Sequence, residues 1–429
     1  MKNINLFGKN MDKNLQRVKY ACYGSNITMA IVANLSPILF LTFRHMYGIS
    51  YTLLGLLVLI NFTSQLLIDL IFSFFSHKFN IPLTVKVMPL IAILGLVFYA
   101  LAPYVFPNNV YVGIVIGTII FSISCGLAEV LVSPVIAAIP SENPDHEMSK
   151  LHSIYAWGVV GFVVFATLFL LAFGTKNWQI LVCVLAVVPF VAFLLFSNAK
   201  LPEMEKPEKV SGALNMLKRK EVWICVVAIF LGGASECAMS QWSSSYIEQA
   251  LGIEKVWGDL FGMALFGVML GLGRTLYAKI GKNIEKVLLC CAISATACYL
   301  IAALSPIAII GLIACALTGF CTSMLWPGSL IVAEKKNPHS GVFIFAMMAA
   351  GGDLGASVAP QIIGAITDAT TASSGAIALS NTLGITVEQL GMRIGLLAGS
   401  LFPLIAIIVF TVIYKNKKKA DRLLASQNN

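Results

Sequence analysis

The sequence predicts an all-α membrane protein whose twelve transmembrane helices form two six-helix repeats. Charged residues are 11% and apolar residues 58% of its 429 positions, whereas charged residues average about 25% of soluble domains. The apolar residues are gathered into runs of about 20, the length that an α-helix needs to cross ~30 Å of hydrocarbon. An internal repeat divides these runs into two halves. The composition therefore excludes an ordinary soluble protein and predicts a chain embedded in a lipid bilayer.

Hydropathy along the chain predicts twelve spans, several of them joined by very short connections. Spans 1 to 6 are expected at 20–43, 51–76, 83–105, 111–139, 151–173 and 178–197. Spans 7 to 12 are expected at 222–249, 257–280, 286–304, 307–333, 342–367 and 391–414. The hydrophilic stretch 198–221 is predicted to link an N-terminal bundle (1–197) to a C-terminal bundle (222–429). The connection 369–390 is rich in Thr, Ser and Ala, and we expect it to be flexible.

Lys and Arg residues orient the predicted spans, because cytoplasmic connections carry an excess of positive charge. With the N-terminus inside, the outer connections hold few of the 29 Lys and Arg residues: Arg44, Lys176, Lys255 and Arg393, with Arg274 inside a span. We therefore expect a multi-pass protein of the cell membrane with both termini in the cytoplasm. Since the net charge of +9 follows this distribution, no nucleic-acid partner is expected.

Three residues of the first half recur at a constant offset in the second half. The pairs are Gly126 and Gly319, Pro134 and Pro327, and Gly158 and Gly351. Similarly, Gly-Ile precedes both the second and the eighth span. Parallel six-span repeats related by an axis along the membrane normal are the architecture of the major facilitator superfamily, so we expect that fold.

Glu129 is the only acid in the apolar stretch from Tyr111 to Ile139. A charge at this depth costs at least ~2.5–3.5 kcal/mol and by default marks an ion or substrate pathway. Ser122 and Ser133 lie seven and four residues away, so the three side chains share one helical face. We predict that Glu129 is a proton-coupling residue. The alternative interpretation is a structural hydrogen bond or ion pair with another helix.

Asp353 begins a second polar stripe, which continues through Ser357 and Gln361 at four-residue spacing in the eleventh span. It is the second predicted proton-coupling residue. Alternatively, Asp353 pairs with Arg274 as a gate or as a structural bridge. Arg274 lies deeper than snorkelling to the interface requires. We therefore predict that Arg274 forms a gating or structural ion pair.

The seventh span combines a carboxylate, an amide and a large aromatic ring in Glu236, Gln241 and Trp242. Polar groups that bond hydroxyls, together with a ring beneath the C–H face, form the kind of site that holds a sugar. Trp242 fits an interfacial aromatic belt equally well. The predicted substrate-binding set is completed by four further polar residues: Asn26, Asn34, Tyr155 and Gln361.

Catalytic and metal-binding motifs are missing from the sequence. It contains no Walker A sequence, HExxH motif or nucleophile elbow, so we do not expect an enzyme. Its ten cysteines show neither CxxC pairs nor Cys/His ligand spacing, so neither a metal site nor disulfides are expected. We expect a transmembrane proton gradient, and no cofactor, to supply the driving force.

The stretch GLAEVLVSPVIAAIPSENPDHEMSKLHSIYAWGVVG resembles the fourth-to-fifth-span signature of the fucose/galactose/glucose:proton symporters, a family within the major facilitator superfamily. GGASECAMSQWSSSY, LGLGRTLYAKIG and AAGGDLGASVAPQIIGAITD resemble the same family's seventh, eighth and eleventh spans. The resemblance implies that Glu129 takes part in proton and sugar handling. The fucose permease also uses an acid in its first span, where this chain has only Asn26 and Asn34.

Together these observations predict a secondary active transporter that works by alternating access. The expected reaction is proton-coupled symport of a sugar or a related polar small molecule. The alternative is a proton-coupled exporter of drugs or metabolites on the same fold. The expected partners are a small, sugar-like substrate and the lipid bilayer, and we expect the protein to be a monomer.

Overall fold

The computed structural model describes residues 13–75, 78–141, 144–202, 218–336 and 341–427. Every regular element within these ranges is helical, which confirms the all-α prediction. We keep the span numbers of the sequence analysis for the corresponding helices. Positions 203–217 of the predicted linker lie outside the described residues.

Spans 1 to 5 are each one continuous helix, and span 6 is broken once. The five helices run Lys13–Tyr47, Tyr51–Phe75, Ile81–Val105, Val110–Ala137 and Pro144–Phe173. A 3₁₀ turn at Thr175–Asn177 leads into Trp178–Leu185 and Val187–Ser197, which together form span 6. Local sequence explains the start of span 3. The Asn80 side chain accepts a hydrogen bond from the Leu83 amide, and Pro82 supplies a preset φ in the first turn.

In the second half, spans 7 and 9 are continuous helices, whereas spans 8, 10 and 12 change helix type or are interrupted. Spans 7 and 9 are the helices Lys220–Leu251 and Ile284–Leu304. Span 8 passes from Lys255–Trp257 through a π-helical segment, Gly258–Ala264, into Leu265–Ile280. Span 10 consists of Ala308–Thr322 and Leu325–Lys336, and span 12 of Val387–Gly399 and Leu401–Gln427.

Span 11 is the helix Gly341–Thr371, and it is followed by a sharp bend. The helix Ser374–Leu383 comes next, at 82° to Met347–Thr371. Among the described residues, eleven helices could cross a membrane by length and composition, and twelve if this bent pair is one span. The connection 369–390, which we expected to be flexible, is therefore largely helical. Thr386 and Gln389 form a capping box at its end.

Glycines that recur in sequence make equivalent contacts in the two halves. A Cβ atom on Gly126 in span 4 would lie 3.0 Å from the backbone oxygen of Gln65 in span 2. A Cβ atom on Gly319 in span 10 would clash with the backbone oxygen of Phe266 in span 8. Small residues allow such close approach of helices in membranes. The repeat is therefore one of helix packing as well as of sequence.

Two further glycine pairs show the same equivalence. Gly158 faces span 1 and Gly351 faces span 7. Gly48 and Gly252 end the first helix of each half with φ values of +65° and +68°, in the left-handed region that glycine adopts without strain. The matched glycines at the ends of spans 1 and 7 thus turn the chain in the same way in both halves.

The apolar core is continuous across both halves at one end of the molecule and divided at the other. We call the end that carries the start of span 1 and the end of span 12 the terminal side, and the opposite end the far side. At the far side, one cluster unites residues of the first half, such as Phe40, with residues of the second, such as Trp242. Toward the terminal side lie two clusters, each confined to one half. The halves are therefore joined by apolar packing at the far side.

Polar contacts also join the halves at the far side. Asp368 in span 11 accepts hydrogen bonds from the backbone amides of Tyr51 and Thr52, at 3.2 and 2.6 Å, where span 2 begins. The hydroxyl of Thr167 in span 5 donates to Asp259 in span 8, at 3.3 Å. Each bond connects the two bundles, so both contacts must break when the far side opens.

Candidate functional site

Three carboxylates from three different spans meet between the halves. Asp69 of span 2, Glu129 of span 4 and Asp353 of span 11 each offer an oxygen within 4.8 Å of the others. We call these residues the carboxylate cluster. Asp69 and Glu129 belong to the first half and Asp353 to the second, so the two predicted proton-coupling residues lie together and are joined by a third acid.

The packing of spans 2 and 4 explains why Asp69 and Glu129 are neighbours. Ser122 of span 4 donates to the Asn61 side-chain oxygen of span 2 at 2.6 Å, and the Gln65 amide donates to the same oxygen at 3.0 Å. Gly126, one turn further along span 4, lies against the backbone of Gln65. One further turn brings Asp69 and Glu129 side by side, because residues four apart share a helical face.

The carboxylate cluster is buried and has no cationic partner in the part of the chain that the structure describes. Asp69 and Asp353 are each 4% exposed, and Glu129 is half-buried. Within the described ranges, neither oxygen of Asp69 has a hydrogen-bond donor, nor does Oδ2 of Asp353. Two ionised carboxylates at this separation repel by roughly 3 kcal/mol or more at an effective dielectric constant of about 20. The cluster can therefore hold little negative charge unless protons or a cation neutralise it.

Arg274 forms an ion pair within the second half. Its Nη2 lies 3.3 Å from Oε2 of Glu236 in span 7, and its Nε donates to the backbone oxygen of Ser323 at 3.1 Å. Ser323 lies in the break of span 10, where helical bonding is interrupted. Asp353 was one partner expected for Arg274 from the sequence. The structure instead pairs Arg274 with Glu236, because spans 7 and 8 bring these two side chains together.

Two predicted substrate-binding residues of span 1 bond to backbone in this structure. The amide of Asn26 donates to the oxygen of Leu151 at the start of span 5, at 3.0 Å. The amide of Asn34 donates to the oxygen of Ala30 in its own helix, at 2.9 Å. Tyr155 of span 5 is half-buried and lies close enough to Glu129 of span 4 and Glu236 of span 7 to interact with both electrostatically.

The remaining predicted substrate residues lie in spans 7 and 11. The side-chain oxygens of Gln241 and Gln361 are buried and have no hydrogen-bond partner among the described residues. Trp242 is 1% exposed, packs against Phe40 at 4.9 Å between ring centroids, and donates to the oxygen of Pro360 at 2.9 Å. Its ring is covered in this structure, whereas the two glutamines keep unused acceptors.

Sequence reasoning missed Asp69, although a signal for it exists. Asn61, Gln65 and Asp69 are spaced by four residues in span 2, the same spacing that marked the stripes around Glu129 and Asp353. Asp259 and Asp368, which bond across the halves at the far side, were missed as well. Their partners in the other bundle are hydroxyl and backbone groups, and no local spacing identifies such partners.

Solved structures of transporters share this fold over nearly the whole chain. A bacterial homologue of the human lysosomal transporter Spinster, inward-facing and unoccupied, matches with a TM-score of 0.73 and 13% identity over 95% of this chain and 98% of that chain. The nucleoside transporter NupG matches with a TM-score of 0.72 and 10% identity, over 93% and 99%. The E. coli fucose:proton symporter matches with a TM-score of 0.60 and 15% identity, again over 93% and 99%. At such identities the likeness concerns the fold.

Sequence comparison gives the family directly. No curated protein matches the chain. The family model of the Major Facilitator Superfamily matches residues 21–360, which is most of the chain. The match agrees with the twelve-span helical architecture and with the glycine contacts that recur in the two halves. The chain therefore belongs to the Major Facilitator Superfamily, whose fold it adopts.

Proposed function

We propose that this protein is a secondary active transporter that carries a polar, sugar-like molecule across the cell membrane together with protons. The observation that carries the proposal is the carboxylate cluster, because its acids lie within the spans and have no cationic partner among the residues that the structure describes. Groups of this kind mark proton relays in transporters. Since the two halves both contribute, a change in their separation changes the environment of the protons.

Alternating access links this cluster to transport. In this fold the two bundles rock about a central site, and here they are in contact at the far side. We propose that the terminal side faces the cytoplasm, on the grounds of the Lys and Arg distribution, so the far side is the outer side. A cysteine placed at Ser373 should then react with an impermeant reagent added to intact cells; failure to react there would reverse the orientation.

The class of substrate is proposed from polar side chains between the bundles and from the similar structures. One of those structures is named as a fucose:proton symporter. Gln241 and Gln361 offer buried acceptors that no described residue bonds, and substrate hydroxyls can donate to them. Asn26, Asn34, Tyr155, Glu236 and Trp242 complete the proposed binding set.

The purified full-length protein in lipid vesicles tests the proposal. Uptake of sugars, polyols, nucleosides and cationic drugs is measured with and without an imposed pH gradient. We expect a hydroxylated compound to accumulate when the outside is acidic. Accumulation driven by the opposite gradient would favour the exporter, and uptake that ignores the gradient would favour a uniporter.

Gln241→Ala should weaken binding of that substrate, because it removes a buried polar contact. One such contact contributes about 1–3 kcal/mol, so we expect affinity to fall by roughly 5- to 150-fold. Binding is measured by thermal stabilisation of the purified protein by substrate. The control is Thr382→Ala, at an exposed position of the helix Ser374–Leu383. An unchanged affinity in Gln241→Ala would remove this residue from the site.

A further inference from the structure

We infer that Asp69, Glu129 and Asp353 form a site for two protons that assembles from both halves of the transporter. This inference rests on the proposed function, since it names how many coupling protons the same site holds. It adds Asp69 as a third member. It also places the site across the moving interface and not within one bundle.

The number of protons follows from the distances. Each of the three residues has an oxygen within 4.8 Å of an oxygen of both others. A pair of carboxyl groups this close and this buried shares one proton, because both cannot be ionised together. Because no two of the three carboxyl groups can be ionised together, at most one of them carries a charge. The other two members must each hold a proton.

The missing hydrogen-bond donors lead to the same conclusion. Asp69 is 4% exposed, and among the described residues no donor reaches either of its oxygens or Oδ2 of Asp353. A buried acceptor without a donor is costly. A proton on one carboxyl supplies a donor to its neighbour, so two protons would satisfy the cluster internally. The orphaned oxygens of Asp69 and Asp353 are thus explained without any further side chain.

The surroundings favour protons over a metal ion. Ca²⁺ takes six to eight oxygen ligands, and three carboxylates reach six only if every one of them binds through both of its oxygens. The polar side chains one or two turns before the cluster in spans 2 and 4, those of Asn61, Gln65 and Ser122, bond to one another. The groups that form these bonds are therefore already used within the protein.

Other titratable groups face the cluster from the neighbouring spans. Cys125 of span 4 and Tyr155 of span 5 interact electrostatically with Glu129, and Cys237 of span 7 interacts with Asp353. The adjacent Glu236 is already paired with Arg274. None of these groups contributes a cation to the cluster.

Movement of the two halves relative to each other changes how many protons the site holds. Asp69 and Glu129 lie on spans that are held together within one bundle, and Asp353 lies on span 11 of the other. When the bundles separate here, Asp353 leaves the other two and the limit of one charge for the trio no longer applies. Assembly of the site therefore requires proton uptake, and its separation in the presence of water permits release.

Infrared difference spectroscopy on the purified full-length protein tests the site without any substrate. Protonated carboxyl groups are counted by their C=O stretch at neutral pH. In the unmodified protein we expect the cluster to contribute a C=O signal equivalent to two protonated carboxyl groups. Asp69→Asn should reduce them to one, since Glu129 and Asp353 then share a single proton. Asp69→Ser serves as a second variant if the first does not fold.

The controls separate the possible outcomes. Glu254→Gln changes an exposed carboxylate and should leave the spectrum unaltered. An unchanged number of protonated carboxyl groups in both Asp69→Asn and Asp69→Ser would overturn the inference. Stoichiometric binding of Na⁺ or Mn²⁺ with loss of the protonated signal would overturn it in favour of a metal site. The absence of gradient-driven uptake by the unmodified protein would instead defeat the proposed function and leave this count intact.

Discussion

Glu129→Gln is expected to lose proton-driven accumulation of substrate while it retains substrate exchange. Glutamine resembles the protonated carboxyl in size and keeps most of its hydrogen bonding, so the closed state can still form without the cost of an unpaired charge. Glu129 is the half-buried member of the carboxylate cluster, whereas Asp69 and Asp353 are 4% exposed. Loss of its carboxylate therefore removes the cluster's path for proton exchange with water.

The measurement compares uptake into vesicles under an imposed pH gradient with counterflow at equal pH. Gradient-driven uptake by Glu129→Gln should fall to the level seen without a gradient, while counterflow continues. Glu254→Gln, the exposed control, should behave like the unmodified protein. If Glu129→Gln still concentrates substrate, the required proton lies elsewhere in the cluster, and Asp353→Asn becomes the decisive variant.

Arg274→Ala is expected to destabilise the protein strongly, because it leaves the Glu236 carboxylate without its cation. Breaking a buried ion pair costs about 3–5 kcal/mol. The Arg274 side chain is 37% exposed and that of Glu236 17%, so we expect a loss of about 2–3 kcal/mol, below that range because of solvent screening. The free energy of unfolding is measured by titration with SDS in mixed micelles.

A double-mutant cycle isolates the ion pair from other effects of the substitution. Glu236→Gln combined with Arg274→Gln removes both charges, and it should be more stable than Arg274→Ala alone. Lys417→Ala is the comparison, since Lys417 and Glu285 form another ion pair of the second half, at 3.0 Å near the terminal side, with side chains 31% and 10% exposed. The single variants Arg274→Gln and Glu236→Gln complete the cycle, and a loss in the double variant equal to the sum of the two single losses would mean that the pair contributes no coupling.

Sequence alone predicted the spans and the repeat because both depend on local composition. Runs of about 20 apolar residues leave the backbone no alternative to a helix in lipid. The repeated glycines were visible as a constant offset in the sequence. In the structure they allow close packing of neighbouring helices in both halves. The helix at Ser374–Leu383 was not predicted because its small polar residues resemble those of a loop.

The partners of charged residues could not be predicted in the same way. Arg274 lies 38 positions from Glu236 along the chain, and the choice between Glu236 and Asp353 depends on how spans 7, 8 and 11 are packed. Asp69 was accessible through its four-residue spacing from Gln65. Its position beside Asp353, by contrast, depends on contact between spans 2 and 11 of different bundles.

Asp368 caps the first turn of span 2 from the opposite bundle, so one helix depends on the other half of the protein for its N-terminal hydrogen bonds. A cap of this kind contributes about 1 kcal/mol, and the carboxylate also favours the positive end of the helix dipole. At the surface, water can take its place as soon as the bundles part. The contact therefore stabilises the closed far side by a small amount. It can break and form again each time the transporter opens and closes.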